Sequence, residues 1–159
     1  MRIAMFSSES MHSISAGGLA VHVTELAAGL QRRGHDLHVI TRRKDDQNYY
    51  DCVEGVHYHR VDHGLSDNDV ECMDFMCKAM AHRFHEVTSM VGKFEIVHAH
   101  DWLTANAMKY AMDGFGTPGV LTMHSTEYGR DGNVFYEGFA RWVRDAEAAG
   151  CHNGNLVIA

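Results

Sequence analysis

Short apolar segments alternate with amphipathic segments along the whole chain, and this alternation limits the fold more than any other feature. The apolar segments have the length of β-strands. The first amphipathic segment has apolar residues at spacings of three and four, which is typical of a helix: Leu19, Val23, Leu26, Ala27 and Leu30. Strands that alternate with helices predict an α/β domain with a mostly parallel sheet and right-handed crossovers.

The pattern predicts six strands, four helices and the way they are arranged. The predicted strands cover residues 2–6, 37–40, 55–61, 94–99, 119–123 and 155–159. The predicted helices cover residues 17–34, 69–90, 104–112 and 134–149. Residues 7–16 and 42–54 are predicted loops, and the third strand is expected at the sheet edge. This succession fits a doubly wound, Rossmann-like sheet with strand order 3-2-1-4-5-6, and we expect residues 1–159 to form a single domain.

Composition and charge exclude several classes of protein. The formal net charge is −7 with the 13 histidines counted as neutral, which argues against sequence-independent nucleic-acid binding. No apolar run approaches the ~20 residues of a membrane span. The four cysteines form no CxxC pair, so neither a zinc knuckle nor a thioredoxin-type site is indicated. Since the N-terminus is typical of a strand rather than a signal peptide, we expect reduced thiols in a cytoplasmic protein.

A glycine pair, Gly17 and Gly18, opens the first predicted helix. Exposed backbone N–H groups at a helix N-terminus favour an anion such as phosphate. The loop lacks the GxGxxG pattern, and the second strand ends in Thr41-Arg42-Arg43, without the acidic residue that would hold an NAD ribose. A dinucleotide site is therefore not predicted, and both a phosphate contact and a plain helix N-cap remain open.

The fourth and fifth strands each end in polar, titratable residues, which is where ligands of open α/β sheets bind. The fourth runs into His98-Ala99-His100-Asp101-Trp102. His98 and His100 share one face of the strand, and with a carboxylate they are a possible metal set. Hydrogen bonding to a polar substrate and a capped strand end are the alternatives. The fifth strand runs into the polar segment 124–130, which is either part of the same site or a solvated loop.

A further group of histidines, His57, His59 and His63, has the appearance of a metal site. No cysteine or carboxylate cluster in the surrounding sequence completes a ligand set, so a half-exposed edge strand is the preferred interpretation. The last predicted strand, residues 155–159, is apolar and uncapped. We therefore expect the chain to be part of a larger protein.

Three stretches together resemble one family, the N-terminal half of retaining GT-B glycosyltransferases, in particular the glycogen/starch synthase-like enzymes and their relatives that use nucleotide sugars. The stretches are MRIAMFSSES with AGGLAVHVTELAAGLQRRGHDLHVITR, then VHAHDW, then TMHSTEYGR. They occur in order, each at a predicted strand end. The resemblance implies transfer of a sugar, expected to be a glucosyl group, from a nucleoside diphosphate to an acceptor hydroxyl with retention. It also implies that neither a metal nor another cofactor is needed.

The resemblance also implies roles for the residues that match the motifs. Gly17 and Gly18 correspond to the glycine pair near the donor diphosphate. His100 corresponds to the catalytic histidine that faces the reacting sugar in the interdomain cleft, where it would position a hydroxyl or charge rather than attack the sugar. Asp101 and Trp102 would support the loop.

On the acceptor side, the family histidine corresponds to His124, with Ser125, Thr126 and Glu127 nearby. One departure is Ser15, which stands where glycogen synthases carry a lysine, and this favours the wider retaining family. The family's C-terminal domain, which holds most donor contacts, is absent from this chain, so the isolated half is expected to be inactive.

Two alternatives come from other functional classes. One is a stand-alone Rossmann-like module that binds a nucleotide or sugar without catalysis. The other is a metal-dependent hydrolase that uses His98, His100 and Asp101. If the chain is a glycosyltransferase, its choice of acceptor is expected to depend on the loops 7–16, 62–70 and 125–133.

Overall fold

The computed structural model describes residues 1–64 and 68–159, so residues 65–67 of the predicted acceptor loop 62–70 lie outside the described residues. The described residues form seven strands and five helices. The strands are β1 (Arg2–Ser7), β2 (Asp36–Arg42), β3 (Tyr50–Val53), β4 (Val56–Val61), β5 (Ile96–His100), β6 (Gly119–Thr122) and β7 (Leu156–Ile158). The helices are α1 (Gly18–Arg32), α2 (Asp69–Val91), α3 (Trp102–Phe115), α4 (Glu127–Arg130) and α5 (Phe139–Asn153).

All the strands belong to one sheet, in the order β3-β4-β2-β1-β5-β6-β7. Every pairing is parallel except the antiparallel pair of β3 and β4. Without β3, the order is the predicted 3-2-1-4-5-6, so the Rossmann-like arrangement is confirmed. None of the helices in the described part of the chain is long and apolar enough to cross a bilayer.

The structure corrects the prediction that residues 42–54 form a loop and that the third predicted strand lies at the edge. Tyr50–Val53 is a strand, and it pairs with β4 through a tight turn at Glu54 and Gly55, both with positive φ. β3 therefore covers the edge of β4. It was missed because its residues are exposed or only half-buried, so it lacks the apolar alternation that indicates a strand.

Helix boundaries also differ from the prediction. α3 starts at Trp102 rather than 104 and runs to Phe115. α5 starts at Phe139 and ends at Asn153, later than the predicted 134–149. The short helix α4 lies inside the segment predicted as a loop. A single turn has too few residues to show a helical period.

Two apolar cores lie on the two faces of the sheet. On one face α2 and α3 pack against Phe6, Phe94 and Val97. On the other face α1 packs against Met5 and its neighbours in β2 and β4. Because alternate residues of a strand face opposite sides, this arrangement decides which helix each polar strand residue meets.

Candidate functional site

Four histidines meet where the carboxyl ends of β5 and β6 lie next to α1. His98 and His100 lie on one face of β5, His124 follows β6, and His22 comes from α1. We call these four residues the strand-end histidine cluster. It lies at the edge of the sheet where ligands of parallel α/β folds bind.

The rings of the cluster are in direct contact. His100 Nδ1 lies 3.2 Å from His124 Nε2, and the ring centroids of His98 and His100 are 4.2 Å apart. His22 meets His124 edge-on at 4.7 Å and His100 at 5.6 Å. His98 Nε2 is 2.8 Å from the hydroxyl of Thr122, at the end of β6. Ring contacts thus join α1, β5 and the segment that follows β6.

Burial favours the neutral ring in three members of the cluster. Burial, reinforced by neighbouring histidines, lowers the pKa of His98 to about 4 and that of His100 to about 2. Burial and the nearby His22 also lower the pKa of His124. A neutral imidazole offers one donor and one acceptor, so His98, His100 and His124 can exchange hydrogen bonds with sugar hydroxyls in their neutral form.

One polar atom of the cluster has no partner. His100 is fully buried, and its Nδ1 faces His124, but its Nε2 has no hydrogen-bond partner among the described residues. Buried side-chain polar atoms in folded proteins nearly always have a partner, so this atom needs an explanation. A bound polar ligand would supply one.

Asp101 joins the end of β5 to the start of α3 in an unusual backbone conformation. Its φ is 65° and its ψ is 167°, a combination that is strained for any residue other than glycine. Its backbone N–H donates to the Thr122 carbonyl at 2.7 Å, and its carboxylate accepts from the Trp102 N–H at 3.2 Å. Trp102 in turn packs edge-on against Trp142 of α5, at 5.8 Å. The side chains of Asp101 and Trp102 therefore contact the loop itself and the neighbouring helices α3 and α5.

Thr104 holds the same region together and was not recognised from the sequence. Its fully buried hydroxyl lies 3.1 Å from the Phe6 carbonyl, 2.9 Å from the His100 carbonyl and 3.2 Å from the His100 N–H. It therefore links the ends of β1 and β5 to α3. A threonine early in a helix gives no sequence signal for such a role, because the role depends on which strands lie beside it.

At the glycine pair, α1 begins at Gly18 with Gly17 as its extended N-cap. The backbone N–H groups of Ala16 and Gly17 both donate to one carboxylate oxygen of Glu9, at 3.0 Å each. The backbone thus already binds an anion in this position, and the anion is a side chain of the same loop. Glu9 was not predicted, although it is the only acidic residue in the loop 7–16.

The other residues predicted for the acceptor side lie outside the histidine cluster, around Arg130. The Arg130 guanidinium donates to the Ser125 hydroxyl at 2.8 Å and to the carboxylates of Glu127 and Glu147 at 2.6 and 3.0 Å. The Thr126 hydroxyl caps α4 by accepting from the Gly129 N–H. Of the predicted residues 124–127, only His124 belongs to the cluster. Arg130 lies at the centre of the network, a role that no sequence pattern indicates.

The positions of the potential ligand atoms decide which residues at the strand ends can bind a metal ion together. Within residues 1–64 and 68–159, the potential ligand atoms of His22, His100 and His124 lie within 4.8 Å of one another, so these three can hold a metal ion. The set His98, His100 and Asp101 does not converge in this way, because His98 faces Thr122 and the Asp101 carboxylate caps α3. The ligand set suggested for a hydrolase is therefore wrong.

Comparisons with known proteins identify relatives of this chain. The chain is similar to an uncharacterised glycosyltransferase of Methanocaldococcus jannaschii, with 34% identity over 135 residues, which is 85% of this chain and 34% of that protein. It is also similar to glycogen synthase of Mycobacterium tuberculosis, with 29% identity over 166 residues, or 93% of this chain and 39% of that protein. The chain thus spans about a third of the length of these relatives.

Solved structures give the same fold. Sucrose-phosphate synthase from Thermosynechococcus elongatus superposes with a TM-score of 0.76 and 18% identity, over 98% of this chain and 41% of that chain. The arrangement of strands is that of one Rossmann-like half of a GT-B glycosyltransferase. Residues 16–159 match the family model described as Glycosyltransferase Family 4. The chain therefore belongs to glycosyltransferase family 4.

Proposed function

We propose that this chain is the acceptor-side half of a retaining glycosyltransferase. The enzyme transfers a sugar, which we propose is a glucosyl group, from a nucleoside diphosphate to an acceptor hydroxyl. Family membership supports the reaction class. The observation that carries the proposal is the buried, unpartnered Nε2 of His100 among neutral histidines at the end of β5. A sugar hydroxyl would satisfy this atom.

In this proposal His100 is the catalytic residue, and it works by positioning. With a pKa of about 2, its imidazole is a poor proton acceptor at neutral pH. It can still hydrogen-bond a hydroxyl and hold the reacting sugar next to the acceptor. The ring of His124 orients His100 through the 3.2 Å contact, and its exposed part would meet the acceptor.

The donor diphosphate would bind at the start of α1. There the N–H groups of Ala16 and Gly17 already hold the Glu9 carboxylate, and both glycines of the pair have open space around them. A diphosphate that replaces this carboxylate would gain the same two donors and the favourable helix dipole. Glu9 is then a competitor that the donor displaces.

A second domain completes the proposed enzyme. The chain spans about a third of its relatives, and we propose that the remaining donor contacts come from a C-terminal domain. The 159-residue chain alone would then bind acceptor at best and transfer no sugar. We also propose that the transfer needs neither a metal nor an organic cofactor, so a chelator added to the assay leaves the rate unchanged. The cytoplasmic location expected from the sequence stays a prediction.

The test uses the longest open reading frame that contains this chain. The purified product is incubated with a panel of nucleotide sugars and candidate acceptors, and the anomeric configuration of the product is followed by NMR. The proposal expects transfer with the donor's anomeric configuration kept. An inverted product contradicts retention. Donor or acceptor binding without transfer favours the alternative of a binding module without catalysis.

A further inference from the structure

A second group of titratable side chains lies at the opposite end of the sheet from the strand-end histidine cluster. Asp36 is the first residue of β2, and His38 follows on the same face of the strand. His57 of β4 is the register partner of His38. The group lies on the α2 side of the sheet, where His38 packs edge-on against Phe94 at 5.1 Å. None of these residues takes part in the function proposed above.

The ligand atoms of the three side chains converge on one point. His38 Nε2 is 3.2 Å from Asp36 Oδ1, and His57 Nε2 is 3.9 Å from the same oxygen. All three atoms lie within 4.8 Å of one another. Tetrahedral zinc with bonds of about 2.0–2.1 Å places its ligand atoms roughly 3.3 Å apart. The first distance matches this spacing, and a small rotation of the half-exposed His57 brings the second to it.

The other polar atom of each of these side chains already has a partner. His38 Nδ1 lies 2.9 Å from His59 Nε2, and His57 Nδ1 lies 2.8 Å from the Tyr50 hydroxyl. The second oxygen of Asp36 accepts from Arg2 Nε at 2.8 Å. Histidines that bind metals almost always donate their other ring N–H to such a partner, which fixes the tautomer. Here the partners leave two Nε2 atoms and one carboxylate oxygen directed at each other.

We propose that Asp36, His38 and His57 form a binding site for a divalent transition metal ion, with zinc as the best match. Two imidazoles and one carboxylate are a ligand set of this class, and water would complete the coordination. The residues line a cleft of about 400 Å³, which is open to solvent and gives the ion access. The ion would tie β2 to β4 near the edge of the sheet.

The protonation states suit a metal ion. Burial lowers the pKa of His38 to about 4, so its ring is neutral at pH 7 and releases no proton when it binds the ion. The pKa of Asp36 is also lowered; burial opposes this shift, and Arg2 and His38 more than offset it. Two cations line the cleft, but both are paired, Arg2 with Asp36 and Arg83 with Glu86 at 3.0 Å.

The site was not recognised from the sequence because its members come from separate strands. His57 and His59 were judged to lack a carboxylate that would complete the set. The carboxylate is Asp36, some twenty residues earlier in the chain, and parallel pairing of β2 with β4 brings it to His57. Tyr50, which holds His57, lies on the strand β3 that was predicted as a loop.

The test is a zinc titration of the purified, tag-free chain against a chromophoric chelator, under reducing conditions. The proposal expects one zinc equivalent whose affinity falls at least tenfold in His57→Ala and in Asp36→Asn. Both residues are partly exposed, so both variants are expected to fold, and circular dichroism checks this. Tyr50→Phe removes only the partner of His57 and is expected to weaken binding less than His57→Ala does.

The matched control is His124→Ala, because His22, His100 and His124 are the other converging set in the described part of the chain. This variant should keep the His57-dependent zinc equivalent with its affinity unchanged. X-ray absorption of the zinc-loaded protein should show two imidazole ligands. The proposal is overturned if the wild-type chain binds no zinc, if His57→Ala and Asp36→Asn bind it as well as wild type, or if only His124→Ala loses it.

Discussion

His100 and His124 lie on neighbouring strand ends with their ring nitrogens 3.2 Å apart, although 24 positions separate them in the chain. Neighbouring parallel strands place His100 beside Thr122, and His124 follows two residues later. The contact leaves His100 Nε2 as the only ring nitrogen of that residue without a partner among the described residues. The pair is thus oriented before a substrate arrives.

His124→Ala should raise the KM for the acceptor more than it lowers kcat. The variant removes the contact to His100 Nδ1 and an exposed ring that we propose meets the acceptor. We expect the acceptor KM of the full-length enzyme to rise about tenfold, equivalent to about 1.4 kcal/mol, with a smaller change in kcat. Steady-state kinetics at saturating donor measure this. An unchanged KM together with an unchanged kcat would remove His124 from the site.

Glu9→Gln should strengthen donor binding. The carboxylate of Glu9 occupies the N–H groups of Ala16 and Gly17, where we propose the diphosphate binds. Replacing it with a neutral amide removes charge repulsion and weakens the competitor, so we expect about fivefold tighter binding of the nucleoside diphosphate, or about 1 kcal/mol. Calorimetry on the full-length protein provides the affinity. The matched control is Glu25→Gln, on the exposed surface of α1. Weaker binding in Glu9→Gln alone would show that the carboxylate supports the site rather than competes.

Asp101 should be more tolerant of glycine than of alanine. Alanine loses the cap on α3 and keeps the strained φ of 65°, so we expect a loss of about 1 kcal/mol in the free energy of unfolding. Glycine loses the same cap but relieves the strain, and its cost should be smaller. Urea denaturation of both variants measures the difference. A larger loss for glycine than for alanine would mean that the strain is not relieved.

Stability should fall as the pH drops below 6.5. Burial lowers the pKa of four histidines in the folded chain, to about 4 for His38 and His98, about 3 for His59 and about 2 for His100. Between pH 6.5 and about 4 the unfolded chain therefore binds more protons than the folded one, and the free energy of unfolding decreases. Each such histidine contributes at most about 1.4 kcal/mol per pH unit.

Chemical denaturation at pH 7.5, 6, 5 and 4.5 checks this dependence. His98→Gln removes one of the buried titrating groups and should reduce the slope. Stability that is flat from pH 7.5 to 4.5 would contradict the burial of these histidines.

The fold followed from the sequence wherever apolar periodicity was strong. β1, β2 and β5 are buried along almost their whole length, α2 has buried residues at helical spacing, and the positions and order of these elements were predicted. β3 was missed because an exposed edge strand needs no apolar alternation, and its pairing partner β4 lies beyond a two-residue turn.

The candidate site was predictable only in part, for a similar reason. His100 and His124 follow strands and were found by their position. His22, Glu9 and Thr104 acquire their roles from elements that fold against them, and no local pattern marks them. A helix that begins at the ligand-binding edge is the one signal that indicates His22.

The most direct test of the central claim is the effect of His100→Ala on sugar transfer by the full-length enzyme. The buried ring has an unpartnered Nε2 that we propose holds the reacting sugar. At saturating donor and acceptor, we predict that kcat falls about 100-fold or more, while His82→Ala retains the wild-type rate. A His100→Ala enzyme that folds normally and transfers sugar at the wild-type rate would contradict the account.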